Sequence, residues 1–384
     1  MKILLCSIIL SLFLNIANGQ LGWVPQTSGT SSSLLSVYFT DNNTGWAVGK
    51  AGTILKTTNS GTNWTPQTSG TGNPLQSVYF IDTNTGWAVG KYGTSLKTID
   101  GGTNWTMQTI GTGNWLHSVC FVDSYSGWTV AGYGAILKTT NGGSSWIFQP
   151  SGTSQYLFSV HFTDINTGWA VGQDGTVLRS TDGGTNWTSQ TSGTSNLLYS
   201  VHFTDMNIGW SVGYFGTILK TTNTGLNWAL QTSGTSNHLR SVYFTDDNTG
   251  WVVGEGGKIL KTTNAGITWT PQTSWTEIWL NSVHFTDNNT GWAVGSYGTI
   301  LKTVTGGQLT LENCLISGAD SIYYTFSPVR YISDRTPGGW TLQNEGGAGA
   351  SIISGEDNDT VFINPGFFGG SFILIYSSDS VSCS

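Results

Sequence analysis

TGWAVGKAGTILKTTNSGTNW, residues 44–64, returns with few changes as far as Lys302. Its Gly-Trp pair places Trp46, Trp87, Trp128, Trp169, Trp210, Trp251 and Trp292 at steps of 41 residues, so the chain carries seven copies. A fixed period of about 40–45 residues, each holding several short alternating strands, marks a β-propeller rather than a helical solenoid.

One unit can be read outward from this stretch. Ser36-Val37-Tyr38-Phe39 alternates as a half-buried strand, and residues 41–45, DNNTG, favour a turn through Asx hydrogen bonds and a permissive glycine. Trp46 to Gly49 makes a second strand. Lys50 and Ala51 between Gly49 and Gly52 have the spacing of a tight hairpin leading into Thr53 to Thr57. Residues 58–64 turn the chain again, and Trp64-Thr65-Pro66-Gln67 supplies a fourth strand whose proline suits a sheet edge. The seventh unit has Thr310 where its next Trp is due, while Trp23-Val24-Pro25-Gln26 lies one period before Trp64. The N-terminal strand is therefore expected to complete the last blade, which removes a free edge. The expectation is an all-β chain, a seven-bladed β-propeller over residues 20–307 followed by a small β-sandwich over 312–384.

The third turn resembles the Asp-box, as in Thr98-Ile99-Asp100-Gly101-Gly102-Thr103-Asn104-Trp105. Asn59, Asn141, Asn223 and Asn264 stand for the Asp elsewhere, and an amide can also cap backbone N–H groups. The pattern is a structural signature and implies no catalysis.

Composition narrows the function. With 12% aromatic residues, 53 Gly, only 9% charged residues and a net charge of −7, the chain has no basic surface to attract nucleic acid or an anionic membrane. Residues 1–19 read as a secretory signal: Lys2, an apolar run to Ile16, then Ala17-Asn18-Gly19. That run is too short for a comfortable span, so the mature protein is expected to be exported, monomeric and not inserted in a membrane. Cys120 stands where other units place an aromatic residue and reads as a buried thiol, whereas Cys314 and Cys383 bracket the C-terminal segment and suit one bridge. No cysteine pair has zinc-site spacing, and no metal or cofactor is expected. The strand rhythm of residues 316–383 resembles the PKD-like, immunoglobulin-type domains appended to secreted bacterial proteins, which implies a spacing or adhesive role.

In an up-and-down blade the first and third turns share one face, and the second turn shares the other with the connection into the blade. The first face repeats. Asp41 recurs in all seven units, and Lys56 recurs as Lys or Arg; hairpin pairing sets Lys56 opposite Gly45 and near Asp41, so structural ion pairs are expected. The second face varies from blade to blade. Its turns carry Lys91, Tyr92, Tyr133, Tyr214, Phe215, Glu255 and Tyr297, and its connections carry Trp115, His117, Tyr156, Phe158, Tyr199, His238, Arg240, Trp275, Glu277 and Trp279. Two readings of these rings stand side by side: a recognition surface, or plugs of the channel mouth.

Residues 273–279, TSWTEIW, replace a stretch that reads TSGTSNH one unit earlier. The candidate ligand-binding set is accordingly His238, Arg240, Glu255, Trp275, Glu277 and Trp279, with Trp115 and Tyr156. Glu255 and Glu277 also form the rival reading, the acid and base of a glycoside hydrolase. His161, His202 and His284 occupy the strand position of Tyr38 and read as core aromatics rather than metal ligands. Sialidases carry Asp-boxes too, but only Arg179 and Arg240 are present in the propeller, which leaves no arginine triad.

The repeated Gly-Trp-Ala-Val-Gly, Gly-Thr-Ile-Leu-Lys-Thr-Thr and Asn-Trp segments over residues 21–307 resemble seven-bladed propellers of the photosystem II stability and assembly factor type. The resemblance implies a non-enzymatic protein that docks a partner, here a protein or a glycan.

Overall fold

The computed structural model describes residues 22–308 throughout, together with six short strands between residues 314 and 383. Leu21–Gln308 forms one compact unit. In blade one, Leu34–Phe39, Gly45–Gly49, Ile54–Thr57 and Thr65–Gln67 pair antiparallel in chain order. The same order recurs in five further blades, whose first strands begin at Leu75, Leu116, Leu157, Leu198 and Leu239. Blade seven, Leu280–Phe285, Gly291–Gly295 and Ile300–Thr303, takes Val24–Gln26 as its fourth strand, with Val24 opposite Lys302 and Gln26 opposite Ile300. Just before that strand, Trp23 is fully buried and meets Phe285 edge-on at 5.7 Å, as the turn Trp does in the other blades.

The core lies in seven seams between blades rather than inside any one of them. Along the first seam Trp46, Val48 and Ile54 of blade one pack on Leu75, Val78 and Phe80 of blade two. Trp46 stacks on Phe80 at 3.6 Å between ring centroids, and its indole N–H donates to the Gly101 carbonyl at 3.0 Å. Trp105 closes on Phe80 from the side at 5.9 Å. The closing seam is alike: Trp292 stacks on Phe39 at 3.5 Å and donates to the Ser60 carbonyl at 3.3 Å. A bulge between Leu34 and Ser36 shifts the strand register next to the axis. Ser36 Oγ accepts from the Val78 N–H at 3.2 Å, and the equivalent bonds run round all seven seams back to Ser282 and Val37. Each such bond contributes about 1 kcal/mol, and together they tie every blade to both neighbours.

The turns behave as their residues dictate. Asp41 Oδ1 accepts from the N–H groups of Asn43 and Thr44 at 2.7 and 2.8 Å. In the third turn Asp100 accepts from the Asn104 backbone at 2.9 Å and side chain at 2.7 Å, which holds its carboxyl below the usual range. Asn59 caps the corresponding Asn63 N–H at 2.9 Å, so amide and acid do the same work.

Two expectations need correction. The second hairpin sets Gly45 opposite Thr57 and Trp46 opposite Lys56, one residue from the expected register. Lys56 does not pair with Asp41: its Nζ sits 5.4 Å from the Trp46 ring centroid, and the carboxylate that acts on it is Asp100 of the next blade. Strand twist carries the lysine across the seam, where its stem and ammonium cover the buried Trp. At the closing seam Lys302 Nζ donates to Ser60 Oγ at 2.8 Å.

The first strands line the axis. There Tyr38, Tyr79, Cys120, His161, His202, Tyr243 and His284 form a girdle, one residue per blade, with successive rings 4.6 to 5.0 Å apart wherever both neighbours are aromatic. Burial pushes the Cys120 thiol up to about 12 and the His161 imidazole down to about 4. Among the described residues no three metal-ligating side chains converge. Most of residues 312–384, where the sandwich is expected, lie outside the described set; the six strands there pair two by two, with Cys314 and Cys383 as backbone register partners.

Candidate binding face

Backbone hydrogen bonds fix the two faces. The third turn meets the first turn of its own blade, as from the Ser60 N–H to the Asn43 carbonyl at 2.9 Å. The second turn meets the connection into its blade: the N–H groups of Lys91, Glu255 and Ser296 donate to the carbonyls of Pro74, His238 and Trp279, each at 2.9 Å. The varied loops of the sequence thus gather at one mouth of the axis.

Each second turn is a single helical turn whose middle residue takes a positive φ: Tyr92 at 59°, Tyr133 at 59°, Phe215 at 53° and Tyr297 at 55°. That conformation costs roughly 1–2 kcal/mol for a residue with a Cβ. It points the side chain away from the blade, and all four rings are exposed.

Inside this outer row runs a belt of rings, linked from one to the next between His117 and Trp279. Near His117, Lys91 Nζ lies 3.5 Å from the Trp115 ring centroid, while Tyr133 meets Tyr156 at 5.0 Å. His117 faces Phe158 at 5.0 Å, Phe158 faces Tyr199 at 5.6 Å, and Tyr199 faces Tyr214 at 5.3 Å. The Arg240 guanidinium then lies 4.3 Å from the Tyr199 ring and 5.1 Å from the Trp279 ring. His238 stacks on Tyr214 at 4.1 Å, and its Nδ1 accepts from the Phe215 N–H at 3.1 Å. Burial of Tyr199 pushes its phenol up, and neighbouring Arg240 opposes that rise. Burial, assisted by the Lys91 charge, pushes His117 down to about 4.

Of the candidate residues, the fold brings His238 and Glu255 together in blade six, sets Arg240 against Trp279, and places Trp115 and Tyr156 at the far end of the belt. Glu255 Oε2 accepts from the His238 backbone N–H at 3.3 Å. Glu277 is exposed. Trp275 takes φ 58° where the other six units hold glycine at 70° to 76°, and its Nε1 is buried without an acceptor among the described residues. The candidate set omits Phe158, Tyr199 and Tyr214, although they form the middle of the belt. The signal that finds Phe158 and Tyr199 is one position of the period, read round the ring as Leu35, Gln76, His117, Phe158, Tyr199, Arg240 and Asn281.

A family model described as photosynthesis system II assembly factor YCF48 matches overlapping residues 17–112, 68–151, 103–194, 150–228 and 185–274. Among solved structures, YCF48 bound to D1 peptide is 23% identical over 74% of this chain and 95% of that one, with a TM-score of 0.64. YCF48 from Cyanidioschyzon merolae is 23% identical over 73% and 98%, with a TM-score of 0.62. A GH74 enzyme of Niastella koreensis is 17% identical over 79% and 58%, with a TM-score of 0.60. These three likenesses show the fold. No match is found among curated proteins.

Proposed function

Since the chain belongs to the family of the photosynthesis system II assembly factor YCF48, we propose that it is a non-catalytic propeller that docks a protein partner on its variable face. The observation that carries this reading is the belt from His117 to Trp279, in which rings from five blades are linked with the ring-stacked Arg240. Rigid aromatic rings supply large contact area at low entropic cost. A YCF48 structure carries a D1 peptide, and a peptide segment is the ligand class proposed here. The chain is read as secreted and monomeric, with residues 312–384 as a PKD-like spacer. A glycan is the second ligand class for the same face, and glycoside hydrolysis by Glu255 and Glu277 is the rival; Glu255 Oε2 accepts from the His238 N–H.

A peptide and glycan array on the purified chain tests the reading. Peptide capture without turnover supports it; sugar release supports the rival. Replacing Trp115 and Trp279 by Ala is expected to weaken a captured peptide by on the order of 2 kcal/mol or more, with the melting temperature kept. Calorimetry showing unchanged affinity would place the ligand elsewhere.

A further inference from the structure

We infer that the partner presents an acidic side chain to Arg240, with apolar residues on either side of it lying against the belt. This rests on the reading of the face as a peptide-docking surface.

Arg240 leaves the first strand of blade six and lies between a ring of blade five and a ring of blade seven, 4.3 Å from Tyr199 and 5.1 Å from Trp279. Two rings thus hold the guanidinium, the Tyr199 hydroxyl also bonds it, and its Nε is buried without an acceptor among the described residues. A half-buried cation with an unmet donor is stabilised by an anion that reaches it. Glu255 of the same blade turns its Oε2 to the His238 backbone N–H instead. His238 adds a second donor: since Nδ1 accepts from the Phe215 N–H, the proton of the neutral ring sits on Nε2. Blade six therefore offers fixed donors at the mouth. A planar guanidinium fits a carboxylate with two parallel hydrogen bonds. The chain's net charge of −7 opposes polyanions, whereas one carboxylate within an apolar segment suits the aromatic walls.

The test uses the full chain and arrayed peptides of random apolar sequence around a central Glu, each repeated with Gln and with Lys in its place. Captured peptides are expected to require Glu, with Gln costing roughly tenfold and Lys abolishing capture. Arg240→Met should erase the difference between the Glu and Gln versions, and Arg240→Lys should leave part of it. Should Arg240→Met lower the melting temperature, Arg240→Lys carries the comparison alone. Capture indifferent to Glu or Gln, or a Glu preference that survives both variants, overturns the inference and leaves the docking reading intact. If no peptide is captured at all, both fall.

Discussion

His161, His202 and His284 sit in the axial girdle with Tyr38, Tyr79, Cys120 and Tyr243, and none of these neighbours is a carboxylate that could receive a proton's charge. Burial lowers His161 to about 4 and His284 to about 3 from an ordinary 6.5, and lowers His202 as well. Below 6.5 the unfolded chain binds protons that the folded chain refuses, so stability falls as pH drops from 6.5 through 4 and continues toward 3. The melting temperature is expected to follow this slope, and His161→Tyr with His202→Tyr should flatten it, since Tyr38 shows that the position holds that ring. A slope unchanged by the double variant would assign acid sensitivity to other groups. Trp275 gives a second residue-level test. Replacing it with the glycine of the other units should keep or raise stability by up to about 1 kcal/mol through relief of the positive φ. Weaker peptide capture by the same variant would show that the strain serves binding; a lower melting temperature would show that the ring is structural. The sequence flagged Trp275 because it breaks the repeat, but not its backbone strain, since φ follows from the glycine turn into which the Trp was placed.

At the level of the strand, the 41-residue spacing was enough to place seven blades and the closing strand, because a period and a missing Trp are both visible in one dimension. Deleting residues 20–30 removes Trp23 and the strand Val24–Gln26, and is expected to lower the melting temperature sharply, since loss of a buried Trp alone costs about 3–5 kcal/mol. An unchanged melting temperature would mean that the closing seam holds without its fourth strand. What spacing did not reveal is direction across a seam. Lys56 was set against Asp41 because both recur within one unit, yet twist delivers it to Trp46 and to the turn of the neighbouring blade. Likewise Tyr199 and Arg240 are 41 residues apart in the chain and meet only because first strands crowd together at the axis. The bulge after Leu34, which adjusts that crowding, has no residue signature of its own.

Across the whole molecule, similarity between units builds the ring and difference between them equips one mouth of it. The seams use near-identical Trp, Phe and Ser residues, so substitutions there disturb the fold, whereas the belt draws its variety from the second turns, the connections and one varied position near the start of each first strand. The closure has one more consequence. Gly22 lies against Gly307, so the chain arrives at and leaves the ring at one place, on the same side of the strands Val24–Gln26 and Ile300–Thr303. Tension drawn along the chain would therefore act first on this strand pair inside blade seven. It would also peel the antiparallel pair bond by bond instead of shearing all its bonds together, making the point of closure the place where a pulled ring first opens.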